Sequence, residues 1–255
     1  MFKISRGTKI VFSISFFIAL ILVISAYLYY QNINSAEDPR TIKARNLFID
    51  YDNFLEEKEY EKALNILDEI ENIYTNLKEY KNSFEFGVVY NNRATVYILI
   101  ALYSENDETK DKKALLEIAE KNTLESIKIY ENWLKSNGKK TKKEIFKKID
   151  EIFKKENFII DDEDFYFLKN KRVEDIILAQ IETPRRLSVS YTNLGTIQRH
   201  QLKQELALKS FTKALKLWKY NHTAKNNLNV LIGKSIEDES IIRKLFPPDR
   251  MKLDN

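Results

Sequence analysis

Apolar residues recur at helical spacing along most of the chain. Ala63, Leu64, Leu67, Ile70, Ile73 and Tyr74 share one face of a stretch whose other face is Glu and Lys, the pattern of an amphipathic helix. Between Pro39 and Pro184 there is no proline, and Gly87 and Gly138 are the only glycines. So few breakers over that length predict helices rather than short strands and turns. Thr183 before Pro184 reads as an N-cap followed by a first helical residue. It opens a helix to about His200, followed by a second periodic stretch from about Gln204 to Trp218. The fold class predicted is all-α.

One apolar run has no polar face. Residues 10–30 hold 21 residues without a charge, and a helix of that length spans roughly 30 Å of hydrocarbon. Tyr27, Tyr29 and Tyr30 stand at its far end and Lys3, Arg6 and Lys9 on its near side. Interfacial aromatics and the positive-inside rule predict a single-pass helix with residues 1–9 cytoplasmic and the body on the far side of the membrane. A cleaved signal peptide is the competing reading, and it also carries residues 31–255 across.

Charge and composition narrow the chemistry. The net charge is +4, of which Lys3, Arg6 and Lys9 supply three; the remaining 225 residues carry 39 basic and 38 acidic groups. A near-neutral body gives no global reason to expect nucleic acid as a partner. Cysteine is absent and His200 and His222 are the only histidines, so thiol chemistry and His-rich metal sites are excluded. No Gly-rich phosphate loop, nucleophile elbow or H-E-x-x-H pair occurs. The expectation is a non-enzyme with no cofactor and no metal.

Residues 135–155 carry nine lysines against three acids, with Ile145, Phe146, Ile149, Ile152 and Phe153 as an apolar stripe. Two readings stand: a solvated lysine face on a packed helix, or a basic amphipathic helix that touches anionic lipid or an acidic partner through Lys142, Lys143, Lys147 and Lys148. Asp161–Asp164 lack the ligand spacing of a calcium loop and read as an acidic helix start. The tail around Pro247 and Pro248 is expected to be extended.

The late helix pair carries Tyr191, Leu194, Gly195, Ala207, Phe211 and Ala214. Small residues at 195 and 207 allow two helices to approach closely, and Tyr191 and Phe211 fill the gaps beside them. This spacing resembles the tetratricopeptide repeat (TPR), with Gln198 in place of the second aromatic and Lys219 in place of the final proline. Weaker copies are Tyr90, Ala94 and Tyr97, with Arg93 at a usual leucine place, then Ala114, Ile118 and Ile127 beyond the polar insert Ser104–Lys112. An earlier one has Leu47, Tyr51, Phe54, Ala63 and Leu67. Residues 222–234 resemble a capping helix.

The resulting domain plan is 1–9 cytoplasmic, 10–30 transmembrane, 31–41 linker, 42–134 repeats one and two, 135–183 lysine-rich insertion, 184–234 third repeat and cap, and 235–255 tail. The resemblance implies an α-solenoid whose first helices line a groove, with Asn91, Thr95, Thr192, Thr196 and Arg199 as partner-binding candidates. In layout the chain is similar to bacterial periplasmic TPR proteins, including those of the spirochaetal flagellar collar. The implied function is a scaffold for protein partners in a bacterial envelope complex, anchored by a single pass in the inner membrane with its body periplasmic. The alternatives are a membrane-surface lipid binder and a periplasmic chaperone or secretion accessory.

Overall fold

The computed structural model describes residues 12, 15–25, 38–103 and 111–238. From residue 38 onward the described chain forms α1 (Ile42–Glu56), α2 (Tyr60–Thr75), α3 (Phe84–Tyr103), α4 (Lys112–Asn137), α5 (Lys142–Ile152), α6 (Asp162–His200), α7 (Gln204–Leu217) and α8 (His222–Leu231). Short 3-10 turns lie at Lys78–Tyr80 and Lys155–Asn157, and no strand occurs among the described residues. The all-α expectation holds.

The helices pack in pairs: α1 with α2, α3 with α4, and α6 with α7, while α8 lies on α7 and α6. Two of these hairpins use one turn. Lys58 and Leu202 adopt left-handed backbone (φ 60° and 63°). The amides of the next residues, Glu59 and Lys203, each donate at 2.8 Å to a carbonyl five residues back, of Phe54 and Gln198. This is the six-residue closure of a Schellman end. The end of α8 repeats it, with Gly233 left-handed and Lys234 N donating to Asn229 O at 2.8 Å.

Close approach explains where small residues sit. A Cβ on Gly195 would meet the Phe211 ring at 2.6 Å, and one on Gly87 would meet the Tyr130 ring at 2.3 Å. Both rings are buried. The departures from the repeat signature are polar substitutes. Ser210 Oγ donates to Gln198 Oε1 at 2.7 Å, and Arg93 holds Asp68 and Glu71 on α2 at 2.7 and 2.6 Å.

Four expectations are corrected. First, no helix among the described residues is long and apolar enough to cross a membrane. The predicted span 10–30 falls partly outside the described residues. Within it, residue 12 and residues 15–25 are helical and exposed. The single-pass anchor, the inner-membrane and periplasmic placement and the membrane partner fall with it. Second, no helix starts at Pro184. Helix α6 begins at Asp162, capped by Asp161 Oδ1 accepting from Asp164 N at 2.7 Å, and runs 39 residues through Pro184 with Thr183 buried inside it.

Third, the buried face of α4 is Leu116, Ala119, Thr123, Ser126, Ile127, Tyr130 and Trp133; Ile118 is exposed and Ala114 half-buried. Fourth, paired helices of 14 to 39 residues leave no period near the roughly 34 residues of the tetratricopeptide repeat. The insert 104–110 and the tail 239–255 lie outside the described residues.

The lysine-rich segment is part of the body. Ile145, Ile149 and Phe153 are buried with Leu168, Val173 and Ile176 in the core that also holds Ala63, Leu67 and Ile70. An interfacial helix needs its apolar face free, and this stripe is spent on the core.

Burial leaves a pH signature. It raises the phenols of Tyr51, Tyr74, Tyr80 and Tyr130 well above the ordinary value of 10.0. Burial, then hydrogen bonding to Glu71 and Glu131, lifts Tyr90 and Tyr191 to about 12. A folded pKa above the unfolded one gives stability that is complete below the unfolded value and lost as pH rises through the folded one. Ultraviolet titration is therefore expected to show the four buried tyrosines ionising only as helical circular dichroism collapses. Ionisation of all 14 tyrosines in one step near 10, with helicity intact, would contradict this core.

Candidate functional site

The five groove candidates lie on α3 and α6, and most of them already have partners. Ser190 Oγ donates to Asn91 Oδ1 at 2.9 Å, and Asn193 Nδ2 donates to Asn91 Oδ1 and Thr95 Oγ1 at 3.2 and 3.1 Å. Ser126 on α4 joins this seam, donating to the Gly87 carbonyl at 2.8 Å. Farther along α6, Thr192 Oγ1 is buried and accepts from Asn221 Nδ2 at 3.0 Å. Asn227 on α8 lies 3.5 Å from Thr196 Oγ1 and accepts from Arg199 Nη1 at 3.4 Å. Asn91 and Thr95 thus fix the α3–α6 spacing, and Thr192, Thr196 and Arg199 face α8.

The first cleft opens where α1, α3 and α6 meet and holds about 320 Å³. Phe48, Val88 and Leu178 supply its apolar part, and Arg45, Glu182 and Arg186 are among its charged walls. Arg45 Nη2 reaches Asp175 Oδ2 at 3.3 Å. Leu178 is 49% exposed, a large apolar side chain left open between charges of both signs. Thr183, also on this cleft, has a buried hydroxyl without a hydrogen-bond partner.

The second cleft, about 660 Å³, lies between the 76–83 turn, α4, α5 and the first half of α6. Its floor rests on a buried ion pair. The Arg172 guanidinium bonds both oxygens of Glu85 and stacks 4.3 Å from the Tyr80 ring. Burial pushes the Glu85 carboxyl up, but Arg172 more than reverses this and holds it below the usual carboxylate range. Burial likewise opposes the charge on Arg172, and Glu85 outweighs it. Arg40 closes the rim, bonded to Asp38 at 2.8 Å and Glu79 at 3.1 Å and lying 4.1 Å over the Phe158 ring.

Of the four lysine candidates, Lys142 pairs with Glu174 on α6, and Lys143 and Lys147 are exposed. Lys148 turns into the second cleft and donates to Asn137 Oδ1 at 2.9 Å. Burial, then the charges of Lys140 and Arg172, hold its pKa below the ordinary lysine value. No group of three His, Asp or Glu among the described residues is placed to hold a metal ion. His200 is exposed at the end of α6, and His222 opens α8. The Glu85–Arg172 pair was not singled out in the sequence; its only signal there was an acid and a base on otherwise apolar helix faces, 87 residues apart.

No protein family, no curated protein and no solved structure matches the chain. The TPR resemblance is corrected on that finding together with the uneven helices. The chain is an all-α protein of paired helices.

Proposed function

We propose that this protein is a binding module, not an enzyme, and that it holds an amphipathic segment of a partner protein in the cleft between α1, α3 and α6. The observation that carries the reading is Leu178, half-open beside Phe48 and Val88 and ringed by Arg45, Asp175, Glu182 and Arg186. A central apolar anchor with a polar rim is the usual anatomy of a protein contact. The cleft volume suits one or two inserted side chains, and the mixed rim suits a segment with charges of both signs.

A photo-crosslinking residue at position 178, in cells that make the protein, is expected to capture one recurrent partner. The same residue at position 159, where Ile159 is fully exposed on the 153–161 connection, is expected to miss it. Leu178→Glu is expected to weaken binding of that partner by about tenfold or more. The same crosslinks at both positions, or unchanged binding by Leu178→Glu, would refute this reading.

A further inference from the structure

The second cleft carries more hydrogen-bond donors and positive charge than the protein itself uses. Around it stand Arg40, Lys78, Lys148 and Arg172, with Lys140 acting on Lys148 from nearby. The carboxylates set against them are Asp38 and Glu79, both on Arg40, and Glu85 on Arg172. Lys78 and Lys148 have no carboxylate partner among the described residues, and Lys148 is half-buried with only the Asn137 amide oxygen to accept from it.

Two further donors point the same way. Ser83 Oγ and Arg172 Nε belong to residues on this cleft, are closed off from water, and make no hydrogen bond. Ser83 Oγ lies close enough to the Glu85 carboxyl to favour its charge, without the geometry of a bond. Buried donors left without acceptors are uncommon in folded proteins. Here two of them share a cleft with an unpaired lysine.

We propose that this cleft binds a small organic phosphate, its phosphoryl group between Lys148, Lys78 and Arg172 and its apolar part on Trp133, Ile149 and Ile152. The four cations that line the cleft face three directly bonded carboxylates, so the excess is one, and Lys78 and Lys148 are left to offset a phosphate monoester carrying about −1.5 to −2. Its oxygens are strong acceptors for charged donors and for the Ser83 hydroxyl. The volume of about 660 Å³ lies in the range of small-molecule sites. The site shares no lining residue with the α1–α3–α6 cleft, although the two meet at the Glu85–Arg172 pair, and its test changes only residues that do not line the other cleft.

Trp133 reports on the site. In the full chain carrying Trp218→Phe it is the sole tryptophan, and its fluorescence is expected to change saturably with phenyl phosphate. Inorganic phosphate and phenylacetate are expected to bind at least about tenfold more weakly, and phenol not at all. Lys148→Met is expected to weaken phenyl phosphate by about tenfold or more with circular dichroism unchanged. Ser83→Ala and Lys78→Met are milder variants, each expected to weaken binding, and they decide the matter if Lys148→Met misfolds. Several results overturn the proposal: no saturation by phenyl phosphate, equal affinity for phenylacetate or inorganic phosphate, or unchanged affinity in the folded cleft variants.

Discussion

Arg172→Met is expected to be the most damaging single change away from the glycine contacts, costing about 3–5 kcal/mol of folding stability. The guanidinium is 6% exposed and is bonded to a Glu85 carboxylate that is itself almost closed off. Removing it leaves that carboxylate charged, buried and unpaired. The Tyr80 and Phe84 rings, now stacked on the guanidinium at 4.3 and 5.6 Å, lose a cation as well. The loss is not the net worth of the pair. Replacing both partners, as in Glu85→Leu with Arg172→Met, is expected to recover most of the stability, because the desolvation cost of both charges disappears together.

The pH dependence separates this account from simple loss of packing. In the natural chain the Glu85 pKa is lowered on folding, so its contribution is present above the unfolded value and is lost as pH falls through the folded one. In Arg172→Met the largest lowering influence is gone, and burial is expected to outweigh the smaller Ser83 and backbone contributions that remain and to raise the folded pKa. The sign reverses, and acidification stabilises the variant through this group. Urea melts at neutral and mildly acidic pH decide it. If the double variant is no more stable than the single one, and acid does not narrow the gap, the pair is not the strut described above.

The helices themselves were legible because amphipathic periodicity is a local property. Ala63, Leu67 and Ile70 on α2, and Ala207, Phe211 and Ala214 on α7, are buried as their spacing implied. Boundaries set by tertiary contact were not. Thr183-Pro184 has the chemistry of a helix start, yet Asp161 already caps the helix and packing on both sides of Pro184 carries it through. The α4 register was missed because Ser126 and Thr123 are buried polar residues. Ser126 hydrogen-bonds the Gly87 carbonyl and Thr123 the Ala119 carbonyl, so the buried face does not look apolar.

The turns of both hairpins were hidden for a related reason. Lys58 and Leu202 take a backbone that usually marks itself by glycine or asparagine. Of the sites, the individual candidates on α3 and α6 were found as polar residues in a repeat pattern, but their mutual hydrogen bonds depend on which helices meet. The second cleft had no local signature at all, since it gathers Arg40, Ser83, Lys148 and Arg172 from four separate stretches.

Gly195→Ala is the cleanest test of how the late hairpin closes, because two effects oppose each other. In a helix interior alanine is favoured over glycine by about 1 kcal/mol, so propensity alone predicts a more stable protein. Packing predicts the reverse. The added Cβ would stand 2.6 and 2.7 Å from two carbons of the Phe211 ring, which is fully buried and cannot swing into solvent. Relieving that overlap means shifting α7 or forcing Phe211 off its rotamer, at about 1–3 kcal/mol and occasionally more.

The overlap is expected to prevail, with a lowered melting temperature for Gly195→Ala and a larger drop for Gly195→Val. Phe211→Leu in the same chain is expected to suppress part of the loss, since removing the ring frees the space that the methyl needs. Gly87 gives an independent repeat, with its Cβ 2.3 Å from the buried Tyr130 ring. If Gly195→Ala instead melts higher than the parent, the helices are not in contact at this point. The close approach of α6 and α7 at Gly195 then has to be abandoned.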